Sequence, residues 1–118
     1  MKLPNSERAV VPLEKLRDYC LNPQHPEGRH KALVFAAVLG LTAAQAEHLQ
    51  AALLAAARTE EALPTRRSPH GQQYVLDFRM TGSGGRQALV RSTWIVRKDE
   101  DFARLVTCYI PKKGARHE

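Results

Sequence analysis

The chain has 118 residues, of which 43% are apolar and 25% charged, with a net charge of +6. That length and balance suit one folded domain with an ordinary hydrophobic core. The chain holds no run of about 18 apolar residues, which excludes a single apolar membrane span. Met1–Arg8 turns polar at once and lacks the apolar stretch of a signal peptide, so a cytoplasmic protein with no membrane partner is expected. Cys20 and Cys108 stand in no CxxC or zinc-type spacing and read as small buried apolar residues. Charge is uneven along the chain. Residues 1–61 hold seven Lys/Arg and seven Asp/Glu, whereas residues 62–118 hold eleven and five. A basic half beside a neutral half is either a polyanion footprint or a solvated basic surface.

Pro12 opens the first predicted helix, with Leu13, Leu16 and Cys20 at helical spacing, and Pro23 and Pro26 end it near Leu21. A second helix starts at Arg29–Lys31, runs through the apolar stretch to Leu39, and stops at Gly40. Thr42 and Gln45 form a capping-box pattern for a third helix reaching about Arg58. Pro64–Gly71 reads as a mobile loop joining the halves. Three strands follow: Gln73–Met80, Arg86–Lys98 and Arg104–Ile110. Thr81–Gly85 is a flexible hairpin loop between the first two, and Asp99–Asp101 an acidic turn between the last two. Short connections imply an antiparallel meander. The expected architecture is a single α+β domain. Its helical half spans 1–61, a sheet of three or four strands spans 72–110, and a basic tail occupies 111–118.

Two histidines, an arginine and a lysine crowd the turn at Asn22–Lys31. The unpaired N–H groups at a helix start favour an anion, so Arg29, His30 and Lys31 point towards phosphate chemistry. His30 is the candidate for moving a proton near neutral pH. Lys31 and Arg91 are candidates to hold a developing negative charge. Strand alternation groups Asp77 with Arg79, Arg91 with Thr93, and Thr107 with Tyr109. If these sets share a face, it is polar and cationic. The opposite face then carries Tyr74, Leu76, Phe78, Met80, Val90, Trp94, Val96, Val106 and Cys108 as core. No nucleotide-binding glycine loop, no HExxH and no metal-ligand constellation occurs, so neither a metal nor another cofactor is expected.

The motifs Leu3-Pro4-Asn5, Leu21-Asn22-Pro23-x-His25-Pro26-x-Gly28-x-His30-Lys31-Ala32-x-x-Phe35, Trp94-Ile95-Val96 and Leu105-Val106-Thr107-x-Tyr109 resemble an uncharacterised bacterial domain of unknown function. More distantly, a basic His/Lys motif opening a helix and a late Ser-x-Trp strand are similar to colicin D-type toxin ribonucleases. Those belong to the barnase, EndoU, colicin and RelE-type superfold. Here His30 and Lys31 match the first motif, and Ser92 with Trp94 match the second. Arg29 and Lys31 flank the histidine where that motif has several lysines. The resemblance implies metal-independent cleavage of cytoplasmic RNA through a 2′,3′-cyclic phosphate. It places His30, Lys31, Arg91 and Thr107 in catalysis, and Arg29, Ser92, Thr93, Trp94 and Tyr109 in substrate binding. Strand parity sets Ser92 opposite Arg91 and Thr93, so only one set can line the site unless a bulge intervenes, and Arg91 is favoured for the chemistry. RNA and an antitoxin or immunity-type protein are the expected partners, in the manner of a stand-alone toxin of a toxin–antitoxin pair. The alternative is a non-catalytic module that uses a basic groove to hold RNA or an acidic protein.

Overall fold

The structure is a computed structural model that describes residues 1–112; the basic tail from residue 113 onward lies outside the described residues. Three helices precede a four-stranded antiparallel sheet, an α+β fold. After a 3-10 turn at Ser6–Arg8, helix α1 begins as Leu13–Lys15 and widens into a π-helical stretch, Leu16–Cys20. Helix α2 repeats this pattern: Arg29–Val34 is α-helical and Phe35–Leu39 is π-helical. Gly40 ends it with φ 66°, a left-handed conformation that costs glycine little. Thr42 and Gln45 form the expected capping box, then a 3-10 turn, Ala43–Gln45, leads into α3, Ala46–Thr59. Ala46, Leu49, Leu53, Ala56 and Ala57 are its buried stripe, at the spacing of one helix face. No single helix among the described residues is long and apolar enough to cross a membrane.

The strands are β1 (Leu63–Ser68), β2 (Gly71–Thr81), β3 (Gln87–Arg97) and β4 (Ala103–Tyr109), paired in chain order. The segment expected to be a loop, Pro64–Gly71, is therefore mostly strand, and the sheet starts at Leu63 rather than near residue 72. β1 pairs on one side only, so its exposed residues show no burial alternation that a sequence could reveal. Arg66 and Arg67 keep this edge charged, a common protection against edge-to-edge pairing. The β4 edge is closed instead: Val10 exchanges backbone hydrogen bonds with Ala103 and Leu105, and Lys15 Nζ donates to the Val106 carbonyl.

One core joins the helices to a single sheet face. Tyr74, Leu76, Phe78 and Met80 alternate inward on β2, as expected, alongside Val90 and Trp94 on β3. The β3–β4 register breaks: Thr93 pairs with Thr107 but Trp94 pairs with Leu105, leaving Val106 as the extra residue of a bulge. Leu105 and Cys108 consequently fill the core, and Val106, assigned to it from alternation, turns out of it. The Gly-rich Thr81–Gly85 loop also differs from expectation. Ser83 N–H donates to Leu39 O, Ser83 Oγ to Gly40 O and Arg86 Nη1 to Ala37 O. The hairpin thus satisfies the orphan carbonyls at the α2 C-terminus, which ties the helix to the sheet.

Candidate functional site

The turn before α2 is built by a histidine. His25 Nδ1 accepts from the Glu27 and Gly28 backbone N–H groups, at 3.0 Å each, and its ring stacks edge-on against Tyr19 at 4.8 Å. Two donors that would otherwise await an anion at this helix start are thereby taken. The anion argument made for the helix terminus does not hold for these N–H groups. Gly28 lies so close to α1 that a Cβ there would overlap the Tyr19 carbonyl oxygen. This close approach brings the C-terminal end of α1 against the first turn of α2.

The same approach places Lys31 between α1 and β4. Its Nζ donates to Tyr19 Oη at 2.9 Å and to Thr107 Oγ1 at 3.0 Å. The ammonium also sits over two rings, 4.9 Å from the Tyr19 centroid and 5.7 Å from that of Tyr109. An ammonium has three donors, so one remains for a ligand. Both hydroxyls accept from the cation, which leaves the Tyr19 hydrogen free to donate outward, whereas Thr107 Oγ1 also contacts Cys20 Sγ at 4.0 Å. The arrangement is a half-buried donor cluster suited to an anionic oxygen. A cleft of about 710 Å³ adjoins it, with Tyr19 and Thr107 in its wall and Glu14, Asp18 and Glu27 also lining it.

Beneath Thr107 lies a residue pair that sequence reasoning treated as plain core. Cys20 Sγ is 4.0 Å from Thr107 Oγ1, and Cys20 and Cys108 are both buried free thiols. A hydrogen bond from the Cys108 thiol lowers the Cys20 pKa to about 6, against the opposing effect of burial; Thr107 and the Lys31 charge add to the lowering. Cys108 is pushed the other way by the same hydrogen bond and by burial. Neither cysteine has a recognisable sequence context, because their neighbourhood arises only when α1 packs on β4.

The predicted polar sheet face forms as grouped. Register pairs Asp77 with Arg91 and Arg91 with Tyr109, and pairs Val75 with Thr93 and Thr93 with Thr107. Arg91 is closed by a two-pronged ion pair, Nε and Nη2 each 2.9 Å from an Asp77 carboxylate oxygen. Its pKa is raised first by that hydrogen bonding, with Tyr109 as a further neighbour. Arg91 therefore lies next to the Lys31 cluster through Tyr109, with its best donors already used. Thr93 lies half-buried on the same face.

Arg29 and His30 stand exposed on the first turn of α2, and neither side chain has a hydrogen-bond partner among the described residues. Ser92 and Trp94 are on the opposite face and fully buried. Trp94 Nε1 donates to Ser92 Oγ at 2.9 Å, and Ser92 Oγ donates to Leu76 O at 2.7 Å. Both side chains are satisfied inside the core, so the placement of Ser92 and Trp94 against substrate gives way to a packing role. Strand parity is the cause: a strand that presents Arg91 and Thr93 outward must turn its even neighbours in. Among the described residues, no three His, Cys, Asp or Glu side chains converge as a metal-ligand group.

The family described as Domain of unknown function (DUF6883) matches residues 2–112. Among solved structures, a chain of the "Contact-dependent growth inhibition toxin - immunity protein complex from Klebsiella pneumoniae 342" is similar in fold. Its TM-score is 0.66 at 18% identity, covering 87% of this chain and 99% of that one. No curated protein matches the sequence.

Proposed function

The chain belongs to the DUF6883 family, and we propose that it is a toxin-like ribonuclease cleaving RNA without a metal. The observation that carries this reading is the Lys31 ammonium. It is fixed between Tyr19 and Thr107 with one donor unspent, beside an exposed His30 on the same helical turn. The similar fold comes from a complex of a toxin with its immunity protein, which supports a role in such a pair. The Lys31 cluster is the ground for reading the toxin side, since its unspent donor suits a phosphate oxygen.

The chemistry follows from these groups. RNA enters with a phosphate oxygen on Lys31 and on the Tyr19 and Thr107 hydroxyls. His30 takes the proton from the neighbouring 2′-hydroxyl as its oxygen bonds to phosphorus. The bond to the 5′-oxygen then breaks, and that oxygen takes a proton from solvent. The products are a 2′,3′-cyclic phosphate and a 5′-hydroxyl. Lys31 acts on the charge that builds on the pentacoordinate phosphorus, where preorganised donors contribute most. Arg91, its charge matched by Asp77, orients Tyr109; Arg29 and Thr93 flank the path of the chain.

The test is cleavage of total cellular RNA in EDTA, with end-group analysis of the fragments. Cyclic phosphate ends are expected, with loss in His30→Ala and a fall of about 100-fold or more in Lys31→Met. Intact RNA with folded protein would overturn the reading. One observation favours a second reading, a non-catalytic binding domain: Glu14, Asp18 and Glu27 line the cleft beside Tyr19 and Thr107, where they repel phosphate. Binding without cleavage, unchanged in His30→Ala, is the result that reading expects.

A further inference from the structure

A second groove opens along α2 about one turn beyond Lys31, since Val34 in its wall is three residues on from that lysine. It encloses about 810 Å³ between α2 and the ends of β3 and β4, and Val34, Val38, Leu89 and Ile110 form its apolar wall. Arg79 and Lys112 are its only charged lining residues among the described residues. Among the described residues neither has an ion-pair partner and no carboxylate lines the groove. Leu33 and Val34 extend the apolar surface outward at 54% and 37% exposure; they and two residues elsewhere are the exposed large hydrophobics. An aliphatic trough with a cationic rim is an exposed patch that lacks its complement.

We infer that this groove docks an amphipathic, acidic segment of a partner protein. Three observations select that occupant. RNA is disfavoured because single strands bind on aromatic stacking platforms, and the groove wall is aliphatic. A second copy of this chain is disfavoured because both copies carry +6 and would bring like charge to the rim. A segment with apolar residues on one side and carboxylates on the other satisfies the wall and both cations together.

The groove also reaches the candidate site. His30 and Val34 are four residues apart on the α-helical part of α2, so they share one face about 6 Å apart. A partner seated over Val34 stands against His30, and its carboxylates would hold that imidazole away from RNA. This last consequence rests on the ribonuclease reading; the docking itself does not.

The experiment uses the full chain and two synthetic helical peptides with leucines at positions i, i+3, i+4 and i+7. One carries glutamates at the remaining positions, the other lysines. Fluorescence anisotropy should show the glutamate peptide binding and the lysine peptide failing to bind. Val34→Asp and Arg79→Glu, both at surface positions, should each weaken binding by about tenfold or more. Equal affinity for both peptides, no binding of either, or indifference to both substitutions would overturn the proposal. So would sedimentation showing a dimer that Val34→Asp dissociates, which would assign the groove to a second copy. RNA cleavage measured in the same samples separates the two ideas. Inhibition by the glutamate peptide supports partner control of the site. Peptide binding by a protein that never cleaves RNA sustains the groove and sinks only the ribonuclease.

Discussion

Lys31 gives two hydrogen bonds to hydroxyls within the fold, so its stability and activity contributions separate by measurement. Replacing it with methionine keeps much of the aliphatic stem and removes the charge. Chemical denaturation should register a loss of about 1.5–3 kcal/mol, the scale of one hydrogen bond to a charged group, because the half-exposed hydroxyls can turn to water. A much larger loss would make Lys31 a structural residue first. The thiol pair below it gives a pH signature. Cys20 has a lowered pKa in the folded protein, about 6 against an ordinary 9.0. Between those values the unfolded chain holds a proton that the folded chain releases, so stability rises with pH across this window and is lost as pH falls through 6. Cys108, shifted upward, keeps its proton in the folded chain while the unfolded thiol begins to ionise towards 9.0, so it opposes the rise only at the top of this window. Denaturation midpoints from pH 6 to 9 should climb in the wild type and flatten in Cys20→Ala; a slope that survives the substitution assigns it to other groups. Lys31 was legible in the sequence because a cation opening an apolar helix is conspicuous. Tyr19, Cys20 and the His25 cap were not, since their roles come from contacts between segments rather than from spacing.

The elements meet through backbone closeness more than through side chains. Gly28 lets α1 touch the start of α2, and Gly82 lets the β2–β3 hairpin touch the end of the same helix. Gly28→Ala would drive a methyl into the Tyr19 carbonyl, a backbone atom that cannot swing aside. The expected cost is about 1–3 kcal/mol; on the ribonuclease proposal, cleavage falls by more than the stability loss explains, because Tyr19 moves off Lys31. Wild-type stability in this variant would show that the two helices slide apart freely. Helix boundaries were readable because Pro23, Pro26, Gly40 and the Thr42–Gln45 box are local chemical signals. The π-helical widening of α1 and α2 was not, as it changes hydrogen-bond partners without changing residue type. β1 escaped because an exposed edge strand containing Pro64, Arg66 and Arg67 has the composition of a loop. The β4 bulge escaped because alternation presumes an unbroken register, and one extra residue reverses everything beyond it.

Across the whole molecule the charge division between halves now has a location. Arg66, Arg67, Arg79, Arg97 and Lys98 are exposed on the sheet half and have no ion pair among the described residues. Arg91 and Arg104, by contrast, are tied to Asp77 and Glu100. Only the untied cations can exchange a counterion atmosphere with a polyanion. If RNA engages four of them, the slope of log affinity against log salt should be about −3. Affinity would then fall about 50-fold between 50 and 200 mM salt. Arg66→Ala with Arg67→Ala should flatten that slope by about 1.4 if both touch phosphate. His30→Ala, which removes no fixed cation, should leave the slope intact while abolishing cleavage. This pairing makes the measurement decisive. A slope near zero would mean that the basic surface never meets RNA and that the charge of the sheet half serves a protein partner instead. A steep slope with cleavage unchanged in His30→Ala would keep the polyanion and remove the histidine from the chemistry, leaving Lys31 and its two hydroxyls to account for the reaction.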